Sequence, residues 1–330
     1  MAHFIITGGG GYIGKHLAYE LSQDPENTIT LIDIDFSKIP NTLQLDNTTL
    51  IKLDLTDRNK TLTTVSGLIK EIDDTITVFH LAGIADARNE PLGVQINKNT
   101  ITLKNMVDAC VMEKDEVTGQ CMINKFIFAS TSMIYYNPDS AYAKSKLYAE
   151  EYLQKIALIH DLSACIYRIF NVTGEHQSHI IWEDHTPETH LIPNLFKLYL
   201  GYDQYAKITV YSKPVFDATL YISPVRSYID VMDVVQAFIY GSMNTCITNK
   251  NVPIWDIHTD KFNTIFEVIQ MISGIVDVDG TGMDLEIVDW NSVQDTFKPY
   301  GGERLKGWTP FITLEESLIN YMEGMNDRIF

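Results

Sequence analysis

The chain has 330 residues, 45% of them hydrophobic and 11% aromatic, with 43 Asp and Glu against 25 Lys and Arg and a formal charge of −18. That length predicts two domains, and that apolar content excludes a disordered chain. The acidic balance argues against nucleic acid or an anionic membrane as partner, and no apolar run approaches the roughly 20 residues of a membrane span. The four cysteines, Cys110, Cys121, Cys165 and Cys246, show no paired metal or redox spacing and read as reduced thiols. No signal-like stretch precedes the first strand, so a cytoplasmic protein is expected.

In chain order, His3-Phe-Ile-Ile-Thr7 is strand-like and runs into Gly8-Gly9-Gly10-Gly11-Tyr12-Ile13-Gly14, after which Ile13, Leu17 and Leu21 recur at helical spacing. Strand, glycine turn and helix are the context of a dinucleotide fingerprint. Gly8, Gly11 and Gly14 permit a tight turn, and the helix that opens at Tyr12 and Ile13 offers free N–H groups to a pyrophosphate. A second strand, Ile29 to Ile32, ends in Asp33, 19 residues past Gly14. An acid there suits the adenosine ribose hydroxyls and repels a 2′-phosphate, so NAD is expected rather than NADP. Leu50 to Leu53 is a third strand, followed by Asp54-Leu55 and a helical pattern through Leu62, Val65 and Ile69. Thr77 to Phe79 leads to His80-Leu81-Ala82-Gly83, and residues 92–113 carry Leu103, Met106, Val107 and Cys110 at helical spacing.

The apolar run Phe126 to Ala129 ends at Thr131, and a good helix sequence begins at Tyr142-Ala-Lys-Ser-Lys146. Of the 17 tyrosines, Tyr142 alone has a lysine four residues on. Residues four apart share a helix face, so the Lys146 ammonium is expected to lower the Tyr142 pKa from about 10 toward working pH. With the Thr131 hydroxyl on the same substrate oxygen, Tyr142 is a candidate base toward an alcohol or carbonyl. Ala164 to Phe170 is a further strand, ending at Asn171. Such alternation predicts an α/β fold, a Rossmann-type doubly wound parallel sheet over residues 1–171, with 226–258 returning to it. Ligands on such sheets lie beyond the carboxyl ends of the strands. Gly8 to Gly14, Asp33, Asp54, Ala82-Gly83, Thr131 and Asn171 all follow strands at that end.

Beyond Asn171 the alternation breaks. Pro193 to Leu200, Phe262 to Ile275 and Thr313 to Met322 read as helices, the last opening with the capping box Thr313/Glu316. Arg226 to Tyr240 is apolar at helical spacing after Asp230 (Val231, Val234, Val235, Phe238), and Ile254 to Ile257 is a strand. Residues 172–330 are read as a smaller, discontinuous α+β substrate domain.

Thr7-Gly-Gly-Gly-Gly-Tyr-Ile-Gly14, His80-Leu-Ala-Gly83 and Tyr142-x-x-x-Lys146 resemble the extended short-chain dehydrogenase/reductases. Arg168-Ile-Phe-Asn-Val-Thr-Gly174, Glu183-Asp-His-Thr-Pro-Glu-Thr-His-Leu-Ile-Pro193 and Val225-Arg-Ser-Tyr-Ile-Asp-Val-Met-Asp233 are similar, more specifically, to the UDP-glucose 4-epimerases. The similarity runs from Ala2 to about Asn320. It implies that Tyr142 is the general base at the sugar 4-hydroxyl, that Lys146 lowers its pKa and holds the nicotinamide ribose, and that Thr131 bonds the same oxygen. Hydride would pass from C4 to NAD and return to the other face of a turned 4-keto sugar. Gly8, Gly11, Tyr12, Ile13, Gly14, Asp33, Asp54, Leu55, Leu81, Ala82 and Gly83, with Tyr142 and Lys146, would bind NAD. Asn171 and Arg226 would bind the diphosphate of a UDP-sugar, while His190, Leu191 and Tyr211 would contact the uracil. A homodimer through residues 92–113 and 142–160 is implied by the resemblance alone.

Plain alternatives stand beside these roles: Arg226 as a salt-bridge partner, Tyr211 as core, Asn171 as a turn residue and His80 as a structural strand end. His176, His179, His185 and His190 follow no known ligand spacing, and no metal is expected. The chain departs from the family at Ile34-Asp35-Phe36-Ser37, Ala85, Thr131, Tyr136, Ser227, Asp230 and the stretch Ser212 to Pro224. The competing readings are another nucleotide-sugar enzyme on this scaffold (4,6-dehydratase, decarboxylase or 4-ketoreductase) and a non-catalytic NAD-binding scaffold protein. Ser132-Met133 stand where a dehydratase carries an acid pair, and the scaffold reading expects loss of Tyr142 or Lys146, both of which are present.

Overall fold

The structure is a computed structural model describing residues 2–40, 47–84, 91–185, 188, 190–201, 208–215, 220–244, 251–276, 285–289 and 302–328; for 208–215, 220–222 and 285–289 it describes the backbone. The chain forms two compact units: Met1–Ile169, Val234–Ile257 and Gly301–Trp308 in one, Phe170–Asp233, His258–Tyr300 and Thr309–Phe330 in the other.

In the first unit β1 (Ala2–Thr7), β2 (Asn27–Asp33), β3 (Thr48–Lys52), β4 (Thr75–His80), β5 (Ile123–Thr131) and β6 (Ala164–Ile169) join Ile254–Ile257 and Glu303–Arg304 in one eight-stranded sheet. From one edge the order is Glu303–Arg304, Ile254–Ile257, β6, β5, β4, β1, β2, β3. Every neighbouring pair is parallel. A parallel sheet is covered on both faces, so its central strands are apolar throughout rather than alternating. Phe4-Ile5-Ile6 and Phe126-Ile127-Phe128 are accordingly buried without a polar break. Each fully enclosed Phe side chain contributes about 2 kcal/mol of burial.

The crossovers are helical: α1 (Tyr12–Ser22) between β1 and β2, and α2 (Arg58–Lys70), capped by Asp57, between β3 and β4. Between β4 and β5 the expected single helix over 92–113 is instead α3 (Leu92–Gln95), a π-helical turn (Ile96–Ile101) and α4 (Thr102–Met112). The short α5 (Met133–Tyr136) and the long α6 (Ala141–His160), whose N-cap Ser140 accepts the Ala143 N–H at 3.1 Å, lie between β5 and β6. The strand order reverses between β1 and β4, which opens a crevice at the carboxyl ends.

The second unit has its own core, in which Leu195, Phe196, Tyr228, Val268, Ile272, Leu318 and Tyr321 pack together. Its helices are α7 (Leu191–Tyr199), α9 (Ile265–Ile275) and α10 (Leu314–Asp327); α8 (Val231–Asn244) begins in it, and from Val234 onward belongs to the first. The capping box Thr313/Glu316 is present on α10, and a second, Thr264/Glu267, opens α9. The stretch after Asn171 also holds strands that the sequence did not reveal. Asn171–Thr173 pairs in parallel with Tyr228–Asp230, and Ile208–Val215 is flanked by Leu285–Asp289 and Leu220–Ile222. Three of these five are three residues long, too short to carry a period.

Among the described residues no helix is long and apolar enough to cross a membrane. Cys110 and Cys121 are free thiols, but Cys165, in the middle of β6, is disulfide-bonded, which corrects the expectation of a reduced thiol there. Disulfide pairing depends on Cβ atoms meeting in space, and linear spacing does not display that. Cys246 lies outside the described residues, as does Ala85.

Candidate active site

The turn after β1 is built for close backbone approach. Gly8 sits at φ +72°, and a Cβ on it would stand 2.8 Å from Ala82 N and Leu81 C, at the turn after β4. A Cβ on Gly14 would stand 2.2 Å from the Gly8 carbonyl. Only glycine brings these chains together. Gly11 is the N-cap of α1 and supplies no side chain to cap it, and the first turn holds no acid, so the positive helix end is left to an anion. Tyr12 turns its ring edge-on to His16, with centroids 5.2 Å apart, and Ile13 is half-buried behind it.

Asp33, ending β2, ties down this turn. Its Oδ2 accepts the Gly10 N–H at 2.9 Å, and its Oδ1 accepts those of Ile34 (2.7 Å) and Asp35 (3.2 Å). Burial raises the carboxyl pKa, while the three N–H bonds pull it back. Asp54 is exposed and accepts from Thr56, and the buried Leu55 gives its carbonyl to Asn105 Nδ2 at 2.8 Å. Leu81 N–H donates to the Thr7 carbonyl at 3.0 Å and Ala82 N–H to Thr7 Oγ1 at 3.3 Å. His80 is a buried strand end, its Nδ1 2.9 Å from Thr7 Oγ1, and burial pushes its pKa down to about 3, so the ring is neutral.

Thr131, Tyr142 and Lys146 come together at the end of β5 and the first turns of α6. The Thr131 side chain is close enough to the Tyr142 phenol to pull its pKa down. Lys146 Nζ donates to the Ala129 carbonyl at 2.9 Å and lies 5.0 Å from the centre of the Phe128 ring. A Cβ on Gly83 would stand 3.7 Å from that Nζ, so the loop after β4 reaches the ammonium. The Tyr142 pKa moves opposite to the direction expected from its spacing to Lys146. Burial pushes the Tyr142 phenol up to about 12, with only the neighbouring Thr131 pulling it down, and burial brings Lys146 down to about 8, with Glu150 acting the other way. A half-buried phenol loses more hydration on ionising than an amine engaged with a carbonyl returns.

Two groups at this site escaped the sequence reading. Asn99 lies in the π-helical turn, fully buried. Its Oδ1 accepts the Ile84 N–H, and its Nδ2 donates to Gln95 Oε1 and Ser145 Oγ, each at 2.9 Å. A π turn inside a helical pattern leaves no mark in apolar periodicity. Glu150, one turn beyond Lys146, binds Arg168 and Ser130; its spacing of four after Lys146 was the available signal.

The residues expected to contact substrate outside this cluster belong to the second unit. Asn171 donates its Nδ2 to the Ser227 carbonyl at 3.1 Å, and Arg226 Nη1 donates to the Val225 carbonyl at 3.0 Å. His190 is the N-cap residue of α7, and Leu191, its first residue, packs on the core. Tyr211 lies in the strand Ile208–Val215 opposite Val288, and its side chain is outside the described residues. The histidines dismissed on spacing are partly gathered by the fold: Glu183, His185, Glu188 and His190 each bring one ligand atom within 4.8 Å of the others. His190 Nδ1 lies 3.1 Å from Glu183 Oε1 and 2.9 Å from Glu188 Oε1.

A profile of the NAD dependent epimerase/dehydratase family matches residues 4–244. The chain is 26% identical over 308 residues to a UDP-glucose 4-epimerase of Yersinia enterocolitica, covering 86% of this chain and 84% of that protein. In fold it is similar to the UDP-glucose 4-epimerase of Thermotoga maritima with UDP-glucose, at TM-score 0.74 and 19% identity over 99% of this chain and 100% of that one. It is likewise similar to the UDP-glucose 4-epimerase of Bifidobacterium longum in complex with NAD+ and UDP, at TM-score 0.77 and 18% identity over 98% of each. The structural likenesses speak for the fold, and the profile, which spans most of the chain and both the glycine turn and the Tyr142–Lys146 pair, carries the assignment: this chain belongs to the NAD dependent epimerase/dehydratase family.

Proposed function

We propose that the protein is a nucleotide-sugar 4-epimerase, interconverting UDP-glucose and UDP-galactose with NAD held as a resident cofactor. The observation that carries this reading is the meeting of Thr131, at the end of β5, with the Tyr142 phenol, Lys146 one helical turn away and the Leu81–Gly83 loop joining them to the glycine turn. The residues present fit the cofactor: Gly8 and Gly14 leave a cradle that a Cβ would fill, the α1 N-terminus is uncapped, and Asp33 offers a carboxylate at the end of β2. NAD bound there supplies a reversible hydride acceptor for C4 of the sugar and a positive ring charge.

The chain's own groups handle the proton. Tyr142 takes it from the 4-hydroxyl as that carbon is oxidised and gives it back when the carbon is reduced from the other face. Its phenol, at about 12 in the bare fold, must ionise for this, and a charged Lys146 lowers the cost of doing so. Thr131 holds the same oxygen, and its hydroxyl is itself fixed by the Met133 N–H at 3.1 Å. In the second unit, Asn171 and Arg226 are assigned to the diphosphate, and His190, Leu191 and Tyr211 to the base. Supporting the sugar is the likeness to relatives such as the Yersinia UDP-glucose 4-epimerase.

Purified protein given UDP-galactose is expected to form UDP-glucose without added NAD. Tyr142→Phe is expected to lower kcat by at least about a hundredfold, the usual contribution of a positioned acid–base group. An unchanged rate in that variant refutes the assigned base.

A further inference from the structure

Behind Tyr142 and Lys146 the first unit buries a charged group that the proposed chemistry does not use. Glu150 follows Lys146 by four residues on α6 and is completely enclosed. Arg168, on β6, donates Nε to Glu150 Oε1 at 2.9 Å and Nη2 to Oε2 at 2.6 Å, and Ser130 Oγ donates to Oε1 at 2.5 Å. The network runs on: Arg168 Nη1 donates to the Tyr135 hydroxyl, which donates to Asp256 Oδ1, both at 2.9 Å. A buried ion pair of this kind is poor evidence for stability, since desolvation cancels most of the Coulomb attraction. Its placement is more informative. Ser130 is the chain neighbour of Thr131, stands opposite Arg168 in the β5–β6 register, and is bonded to the residue that stands one turn behind Lys146.

The direct partner of Lys146 is a carbonyl, which offers no full counter-charge. Around it stand Tyr142 and Glu150 on its own helix and His80 at the end of β4, with Arg168, Tyr135 and Asp256 beyond Glu150. His80 is neutral, and the charge that acts on the lysine is that of Glu150, in favour of the ammonium. We propose that Glu150 is a positioning residue of this site: its carboxylate, clamped by Arg168 and Ser130, holds Lys146 in the charged form and fixes the Ser130–Thr131 end of β5. Tyr142 then meets both an ammonium and a placed hydroxyl. The proposal rests on Tyr142 being the base.

The test is the pH dependence of kcat for UDP-galactose conversion by the NAD-loaded protein, in the wild type, Glu150→Gln, Glu150→Asp and the double variant Glu150→Gln/Arg168→Met. Loss of the carboxylate is expected to move the alkaline limb, where Lys146 gives up its proton, down by about one pH unit, the scale of one nearby opposite charge. Above that limb kcat falls about tenfold, while KM changes less than about twofold. Glu150→Asp, which keeps the charge, is expected to keep the wild-type limb. The double variant leaves no buried unpaired guanidinium, so it reads the same limb if Glu150→Gln alone does not fold. A limb that stays in place in a folded, NAD-loaded variant lacking the carboxylate overturns the proposal, since a merely structural role lowers yield and Tm without moving it. Full activity in Tyr142→Phe sinks the base assignment itself; an inactive Tyr142→Phe beside an unmoved limb sinks the role of Glu150 alone.

Discussion

Asp230 stands just before α8, where its Oδ1 accepts the Met232 N–H at 2.8 Å and its Oδ2 accepts from Ser317 Oγ at 2.5 Å. Burial pushes its pKa up to about 6, with those bonds only partly offsetting, and Asp233 and Glu175 add repulsion. The folded state therefore holds a proton that the unfolded chain releases near 3.8, and this residue's contribution to stability falls as pH rises through that window. Asp230→Asn, which is neutral throughout, is expected to gain about 2 kcal/mol more over the wild type at pH 7.5 than at pH 4.5. Thermal unfolding of both proteins at the two pH values measures it, and an equal gain at both contradicts the assignment. The same physics separates the legible from the hidden at Tyr142. The Tyr-x-x-x-Lys spacing identified the pair and its helix face, but the resting pKa is set by burial, which spacing does not carry.

At the level of elements, α6 shows both a rule followed and a rule broken. Its N-terminus is capped by Ser140, but it ends at Asp161 in the left-handed region (φ +54°), a conformation suited to glycine, and its carboxylate stands at the negative end of the helix dipole. Asp161→Gly is expected to stabilise the protein by about 1 kcal/mol. An apparent Tm higher by about 2–4 °C would report it, and a lower Tm would show a role for that side chain beyond the cap. The helices α1 and α2 were legible from apolar periodicity, α6 from a good helix sequence and α10 from its capping box at Thr313. The π-helical turn was not, because the periodic residues Leu103, Met106, Val107 and Cys110 all fall in α4 beyond it. With it went Asn99, whose side chain holds the loop after β4 against α6.

For the whole molecule, the alternation of apolar strands and amphipathic helices sufficed to foresee a parallel sheet. The eight-stranded order, reversing between β1 and β4, fulfils that expectation. The edge strand Glu303–Arg304 was invisible because two residues have no pattern, and the Cys165 disulfide because pairing is a matter of space. The buried network from Ser130 to Asp256 joins residues up to 121 apart in sequence, so no local reading would assemble it. The central claim is that C4 of the sugar is oxidised and reduced again without exchange with water. UDP-glucose carrying deuterium at C4, incubated with the protein in ordinary water, tests it. The account predicts UDP-galactose with the deuterium retained at C4; loss of the label to solvent, or no conversion by folded protein loaded with NAD, would contradict it.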